Sequence, residues 1–197
     1  MRGQTKMDGK KRCKWCNLKN PRYVAYHDEE WGKPNFDEAY LYEMLILECF
    51  QAGLSWECVL NKREYFREAY DGFRIDKVIS YEENKVRDLL GNPHIIRNQQ
   101  KIMASIRNSR VFKTIVDEFG SFHDYLRTFT RDVTVYETDR TTNGLSDAIS
   151  KDLKSRGMTF VGSVTIYSYL QAIGVIYAHD KDCYLYQNDT LPSDRIP

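Results

Sequence analysis

The sequence predicts an all-α protein that folds as a single helical domain. Apolar residues recur at helical spacing along most of the chain, and glycines or capping residues separate the periodic segments. The only strand-like run covers residues 133–136, which is too short to carry a sheet. With 197 residues, 42% of them hydrophobic and 13% aromatic, the chain is long enough to bury a substantial core.

The predicted helices follow one another with short connections. They cover residues 37–50, 56–70, 84–90, 98–118, 121–128, 146–156 and 163–173. Asp37 is placed to cap the first of them, and glycines follow several of the others, as is typical of helix ends. Residues 12–186 form the predicted helical domain, residues 1–11 a disordered basic tail and residues 187–197 a C-terminal tail.

Composition and charge narrow the class of protein. The net charge is only +1, so any contact with nucleic acid must come from local basic patches. No apolar stretch approaches the roughly 20 residues that a membrane helix needs. Five cysteines cannot all pair within one chain, and the sequence starts without an apolar leader. We therefore expect a soluble cytoplasmic protein that has no membrane partner and acts as a monomer.

Glu48 is the most informative single residue. It continues the apolar stripe of the helix over 37–50, seven residues after Leu41 and three after Leu45, so it should point into the interior. A buried carboxylate is costly unless it is paired, and an aromatic residue, Trp56, follows in the next turn. An acid beside aromatic rings suits a cationic aromatic ligand. The alternative is a buried ion pair with Arg63 or Arg97.

A second informative segment joins the last two predicted helices. Gly157 suits a left-handed helix stop, and Phe160 with Val161 would fill the gap between the helices. Gly162 then opens a helix at Ser163 whose free backbone N–H groups could bind a phosphate. Basic residues, Lys151, Lys154 and Arg156, precede the hairpin. The alternative is an ordinary helical hairpin that binds nothing.

Potential metal ligands lie near both ends of the chain. Two histidines and two thiolates would make a tetrahedral zinc site that ties the termini together. Five residues compete for the four places: Cys13, Cys16, His27, His179 and Cys183. A site with four protein ligands would be structural, because no position is left for water.

Together these segments resemble the 3-methyladenine DNA glycosylase I family, a divergent branch of the helix-hairpin-helix glycosylases. The resemblance runs in order from about residue 12 to residue 186. The matching stretches are Arg12 to Trp15, Tyr23 to Gly32, Glu48, Gln51 to Trp56, Ile95 to Arg97, Lys101, Leu153 to Gly157, Phe160 to Gly162, Gln171 to Ala172, Gly174, His179 and Cys183.

The resemblance implies a fold, an activity and site residues. The fold is a helix-hairpin-helix domain with a zinc clasp between its N- and C-terminal segments, and the activity is release of 3-methyladenine, with 3-methylguanine as a further substrate, from alkylated double-stranded DNA. The residues implied to bind the extruded base are Glu48, Tyr26, Trp56, Trp15 and Tyr23. Those implied to contact DNA are Gly157, Phe160, Gly162, Ser163, Lys154 and Arg156. The implied zinc ligands are Cys13, His27, His179 and Cys183.

The chemistry of the lesion agrees with these residues. Methylation at N3 gives the purine a positive charge, which aromatic faces and an anionic Glu48 both attract. No residue is assigned as the general base, and Glu48 is the best candidate for a catalytic group. Leu54 is the candidate wedge for the gap that the extruded base leaves in the DNA helix, with core packing as the alternative.

Two other functions stay open. One is a module that binds damaged DNA without cleaving it, and the other is a zinc-stabilised helical protein without a role on DNA.

Overall fold

The structure, a computed structural model, describes residues 9–187. Most of both predicted tails, residues 1–8 and 188–197, lies outside the described residues. The helices are α1 (Pro21–Ala25), α2 (Glu38–Gln51), α3 (Trp56–Asn61), α4 (Arg63–Ala69), α5 (Ile75–Val78), α6 (Glu83–Gly91), α7 (Gln99–Phe119), α8 (Phe122–Thr130), α9 (Gly144–Ser155) and α10 (Ser163–Ala172). A π-helical turn (Tyr26–Glu30) continues α1, and a 3₁₀ turn (Asp71–Phe73) follows α4. The prediction of a mostly helical fold is confirmed.

Two differences from the predicted helices concern short elements. The helix predicted over 56–70 is divided into α3 and α4, because Lys62 leaves helical geometry with φ −102° and ψ 0°. The π turn, α1, the 3₁₀ turn and α5 were not predicted. Each is five residues or fewer, which is shorter than the window in which helical periodicity can be recognised.

The prediction that the run at 133–136 is too short to carry a sheet is corrected by one small sheet. Strand β1 (Val135–Tyr136) pairs in parallel with β2 (Ile176–Tyr177). Two residues of the run at 133–136 therefore form a strand, because a second short segment lies beside them. The pairing brings the loop before α9 next to the chain that follows α10.

Helix α2 lies at the centre of the molecule. Every residue from Leu41 to Phe50 is buried, so this helix is covered on all sides rather than on one face. Its neighbours are α3, α7, α8 and α10. Asp37 caps α2 as predicted, accepting a hydrogen bond from the backbone N–H of Tyr40. Glu48 is thereby held in the last turn of the most buried helix.

The end of α10 is held against the N-terminal half of the chain by a close backbone approach. Gly174 has φ +78°, and a Cβ added there would lie 2.2 Å from the backbone nitrogen of Pro34. Only glycine fits this position. The backbone N–H of Gly32 donates to the carbonyl of Gln171 in the same region, so the segment after the π turn is fixed beside α10.

Within residues 9–187, none of the helices combines the length and the apolar character that a membrane span requires.

Candidate functional site

A cleft of about 310 Å³ opens between the N-terminal segment, the end of α2, the start of α3 and α10. All the residues predicted to bind a base line it: Trp15, Tyr23, Tyr26, Glu48 and Trp56. Further lining comes from Trp31, Gln51, Asp139, Arg140, Ser168, Gln171, Ala178 and Asp180. A concave site with aromatic walls and a few polar groups is typical of a small-molecule or base pocket.

Glu48 lines this cleft and is buried, with 2% of the residue exposed. Its Oε2 has no hydrogen-bond partner within residues 9–187. Burial raises the pKa of the carboxyl well above its ordinary value of 4.5. A carboxylate here is therefore costly until a donor or a cation enters the cleft.

The alternative of a buried ion pair for Glu48 is wrong. Arg63 donates instead to Glu43 at 2.5 Å and to Glu30 at 2.7 Å. Arg97 is exposed. Arg63 is thus committed to two other acids, and within residues 9–187 no ion pair joins Arg97 to Glu48.

Aromatic rings form the walls of the cleft. The rings of Tyr26 and Trp56 lie 5.3 Å apart, and those of Trp15 and Tyr23 lie 5.2 Å apart. Burial, and then the nearby Glu48, raise the pKa of Tyr26 well above its ordinary value, so its hydroxyl stays protonated. The Trp56 Nε1 is a second buried polar atom that has no partner within residues 9–187. Two lining residues thus carry a buried polar atom without a partner within residues 9–187, an acceptor on Glu48 and a donor on Trp56.

The four predicted metal ligands converge. Cys13 Sγ lies 3.4 Å from His179 Nδ1, and Cys183 Sγ lies 3.5 Å from His27 Nε2 and 3.6 Å from His179 Nδ1. All four ligand atoms lie within 4.8 Å of one another, and all four residues are buried. Tetrahedral zinc with ordinary bond lengths would separate its sulfur and nitrogen ligands by about 3.6 Å. The donor set and its spacing therefore fit a tetrahedral metal ion.

Cys16, the fifth candidate metal ligand, lies outside the cluster. Cys16 Sγ is directed at the carbonyl oxygen of Tyr23, 3.9 Å away, and it does not join the cluster. Asp28 supports the cluster from outside by bonding His27 Nδ1 at 2.8 Å, which leaves Nε2 to face the other ligands. Burial, and then the neighbouring His27, lower the pKa of His179 to about 4, so its ring is neutral and able to bind a metal.

The cluster of cysteines and histidines shares a wall with the cleft. The Trp31 ring lies 4.7 Å from His179 and 4.8 Å from Trp15, and Trp15 lies 5.2 Å from His27. Trp15 and Trp31 also line the cleft. The positions of these two rings consequently depend on how the cluster is held.

Two loops predicted to contact DNA, the turn between α2 and α3 and the hairpin between α9 and α10, differ in exposure. In the turn between α2 and α3, Gly53 has φ +77° and Leu54 is 42% exposed, which argues against the core-packing alternative for this leucine. The predicted hairpin between α9 and α10 is present, with Gly157 at φ +100° and Gly162 as the N-cap of α10. No side chain caps the first N–H groups of α10.

The basic residues before the hairpin differ in whether acids of this chain already pair with them. Lys154 is exposed. The Arg156 guanidinium is held by Glu118 at 2.6 Å and by Asp152 at 2.7 Å. Part of the positive charge that was predicted to approach DNA is therefore already neutralised by carboxylates of this chain.

Comparison with known proteins identifies the family. The family model described as methyladenine glycosylase matches residues 15–186. The chain belongs to the methyladenine glycosylase family.

Relatives within this family cover nearly the whole chain. DNA-3-methyladenine glycosylase 1 of Escherichia coli (strain K12) is 41% identical over 182 residues, which span 89% of this chain and 96% of the relative. A crystal structure of a 3-methyladenine DNA glycosylase I superposes with a TM-score of 0.85 at 38% identity, covering 90% of this chain and all of the other. A structure concerned with 3-methyladenine recognition by the Staphylococcus aureus enzyme gives a TM-score of 0.83 at 32% identity, covering 88% of this chain and 97% of the other.

Some lining residues of this family member were assigned no role from the sequence. Asp139 and Arg140 reach the cleft through the β1–β2 pairing, which no sequence pattern indicated. Asp180 reaches the cleft because it follows His179, one of the four clustered cysteine and histidine residues. Ser168 and Gln171 are three residues apart on α10 and share one face, a spacing that could have identified them as a pair.

Proposed function

We propose that this protein is a monofunctional DNA glycosylase that hydrolyses the N-glycosidic bond of 3-methyladenine in alkylated DNA. The observation that carries this proposal is Glu48, a buried and unpaired carboxylate in an aromatic cleft of a methyladenine glycosylase family member. The names of the relatives, DNA-3-methyladenine glycosylases, agree with it. 3-Methylguanine, which carries the same charge and the same N3 methyl group, is the proposed second substrate.

Selection rests on charge and on hydrogen bonding. A cation stacked on an aromatic face gains about 0.5–2 kcal/mol, and more when water is excluded. In the cleft the Tyr26 and Trp56 rings lie close enough to enclose a base beside Glu48. An extruded 3-methyladenine would supply the positive charge that balances a Glu48 carboxylate. Its amino group could donate to Glu48 Oε2, and its ring nitrogens could accept from Trp56 Nε1. Neutral adenine would leave the Glu48 carboxylate uncompensated.

The reaction uses the lability of the leaving group. When the bond between N9 and C1′ breaks, its electron pair moves to the base, and the positive charge of the 3-methylated ring is cancelled. Water then adds to C1′ of the oxocarbenium-like sugar and loses a proton to solvent. A neutral base leaves, so no acid is needed to protonate it. Glu48 acts on the base rather than on the sugar, and no lysine is assigned to a strand-cleavage step.

Binding of double-stranded DNA is proposed to use the turn between α2 and α3 and the hairpin between α9 and α10. Leu54 would fill the gap that the extruded nucleotide leaves in the stack. The hairpin from Gly157 through Phe160 to Gly162, followed by Ser163, would present free backbone N–H groups to a phosphate. Lys154 would add a charge, while Arg156 would mainly hold the hairpin through Glu118 and Asp152.

The cluster of Cys13, His27, His179 and Cys183 is proposed to hold a structural zinc ion. Two thiolates and two neutral imidazoles suit zinc, and four protein ligands leave no place for a reacting water. None of the five cysteines forms a disulfide, in keeping with a proposed site of action in the reducing cytoplasm. Residues 12–186 would form one functional domain that acts as a monomer.

The experiment that tests this function measures bases released from DNA treated with a methylating agent. We expect chromatography to detect 3-methyladenine but not 7-methylguanine. A methyl group at N7 lies on a different edge of the purine from one at N3, so it would meet a different part of the cleft wall. Preferential binding of methylated DNA without release would indicate a damage-binding module instead. A protein that neither releases bases nor binds DNA would leave only the alternative of a metal-stabilised helical protein.

Leu54→Ala tests the proposed wedge. We expect the rate of 3-methyladenine release from duplex DNA to fall about tenfold, because the extruded state loses the side chain that fills the gap. Release from single-stranded DNA should change by less than about twofold, since no stack has to be opened there. The matched control is Val133→Ala, another exposed apolar residue outside the cleft. An equal loss on both substrates would contradict the wedge.

A further inference from the structure

Helix α7 carries a buried polar face that touches both the α2–α3 turn and the 157–162 hairpin. Lys101 is 8% exposed and Asn108 is 0% exposed, and the two residues lie seven positions apart on one side of the helix. Buried amines and amides are costly unless they are bonded. Their hydrogen bonds therefore identify the backbone segments that this face of α7 fixes in place.

Lys101 holds the end of α2 and the turn that follows. Its Nζ donates to the carbonyl of Phe50 at 2.7 Å and to that of Ala52 at 2.5 Å. Burial lowers the pKa of the Lys101 amine, and this residue makes no ion pair with an acid within residues 9–187. A cation at the carbonyl end of a helix is favourable, and the second bond fixes the first residue of the turn that carries Leu54.

Asn108 holds the hairpin. Its Oδ1 accepts from the backbone N–H of Thr159 at 2.9 Å, and its Nδ2 donates to the Thr159 carbonyl at 2.8 Å. The same Nδ2 also contacts Cys49 Sγ at 3.4 Å. One side chain thus satisfies both backbone groups of a hairpin residue and links it to α2, next to Glu48.

The two attachments are joined through Phe160 as well as through α7. The Lys101 Nζ lies 5.8 Å from the centre of the Phe160 ring, so the lysine that fixes the turn also contacts the hairpin. Phe160 itself has φ +58°, a backbone conformation that a bulky residue adopts only when its surroundings impose it.

We propose that Lys101 and Asn108 are positioning residues that set the separation between the Leu54 turn and the 157–162 hairpin for binding to duplex DNA. This inference rests on the proposed function. The distance between a gap in the base stack and the phosphates of the same strand is fixed by the duplex, so two contacts on separate loops engage together only at one spacing. Neither side chain lines the cleft, so base recognition does not depend on them directly.

The test separates binding of DNA from binding of the base. For Asn108→Ala and for Lys101→Met we expect KM for methylated duplex DNA to rise about tenfold, the loss that follows removal of one or two well-placed hydrogen bonds. The dissociation constant of free 3-methyladenine, followed by quenching of tryptophan fluorescence, and kcat should each change by less than about twofold. Lys113→Met is the matched control, because the side chain of this lysine, on the same helix, is 44% exposed.

Thermal unfolding is measured for each variant, and assays are run well below the lowest midpoint. If both folded variants keep the KM of the unmodified protein, the inference is overturned. It is also overturned if free-base affinity falls in parallel with KM, since that result indicates general structural damage. A failure of the proposed function looks different, because the unmodified protein would then release no 3-methyladenine at all.

Discussion

Glu48→Gln is expected to lower kcat/KM for 3-methyladenine release by about 100-fold, the scale of a lost hydrogen bond to a charged group. Glutamine keeps the shape of the side chain and can still accept one hydrogen bond. It carries no charge, so the part of the preference for a cationic base that comes from Glu48 is lost, while stacking on the aromatic rings remains. Base-release kinetics on methylated duplex DNA, combined with the affinity for free 3-methyladenine, measure this effect.

The same substitution is expected to stabilise the folded protein at neutral pH. Burial raises the Glu48 pKa above its ordinary value of 4.5, so the folded state holds a proton that the unfolded state releases as pH rises. Stability in the unmodified protein is therefore lost as pH increases above about 4.5 towards the raised pKa. Glutamine does not titrate, so we expect the Glu48→Gln protein to unfold at a higher temperature than the unmodified protein at pH 7, and the difference to disappear at acidic pH.

Glu43→Gln is the control for this stability effect. Glu43 lies on the same helix, but its carboxylate is paired with Arg63 at 2.5 Å and with Arg67 at 2.9 Å. Removing that charge leaves buried Arg63 with one partner fewer, so the expected change is destabilisation. Opposite signs for the two variants would show that Glu48 is held for its ligand. A loss of stability in Glu48→Gln at pH 7 would mean that the carboxylate has a partner in the free protein.

The sequence predicts a site residue well when that residue lies in a segment with its own local pattern, such as a long helix or a hairpin bounded by glycines. Glu48 could be placed because a long helix repeats its apolar residues, with Leu41 and Leu45 on the same face and Asp37 as its cap. The hairpin could be placed because Gly157 and Gly162 mark its ends. Both signals are local, and the structure agrees with both.

Other parts depended on contacts between distant segments. Cys13 and Cys16 are both buried and three residues apart, and only the turn between them decides which sulfur meets His27 and His179. Asp139 and Arg140 reach the cleft because two-residue strands pair across the fold, and strands that short have no periodicity. The partners of Arg63 could not be chosen from sequence either, since several acids lay within reach along the chain.

Cys183→Ser is expected to have the largest effect on stability. The residue provides one of the four buried ligand atoms that lie within 4.8 Å of one another and join the two ends of the chain. A metal ion bound there is linked to folding, so its loss should cost on the order of 3–5 kcal/mol and lower the unfolding midpoint by about 10–15 °C. Elemental analysis of the purified variant and a thermal melt measure the two effects, and a strong chelator should produce the same shift in the unmodified protein.

Cys16→Ser is the matched control, because Cys16 is buried close by and bonds only the carbonyl of Tyr23 within residues 9–187. It should keep one equivalent of metal and a nearly unchanged midpoint. In Cys183→Ser, base release should fall along with stability, since Trp15 and Trp31 rest on His27 and His179 and also line the cleft. Retention of a full equivalent of metal by Cys183→Ser would contradict the four-ligand site. Loss of metal with unchanged base release would show that the cleft keeps its shape without the clasp.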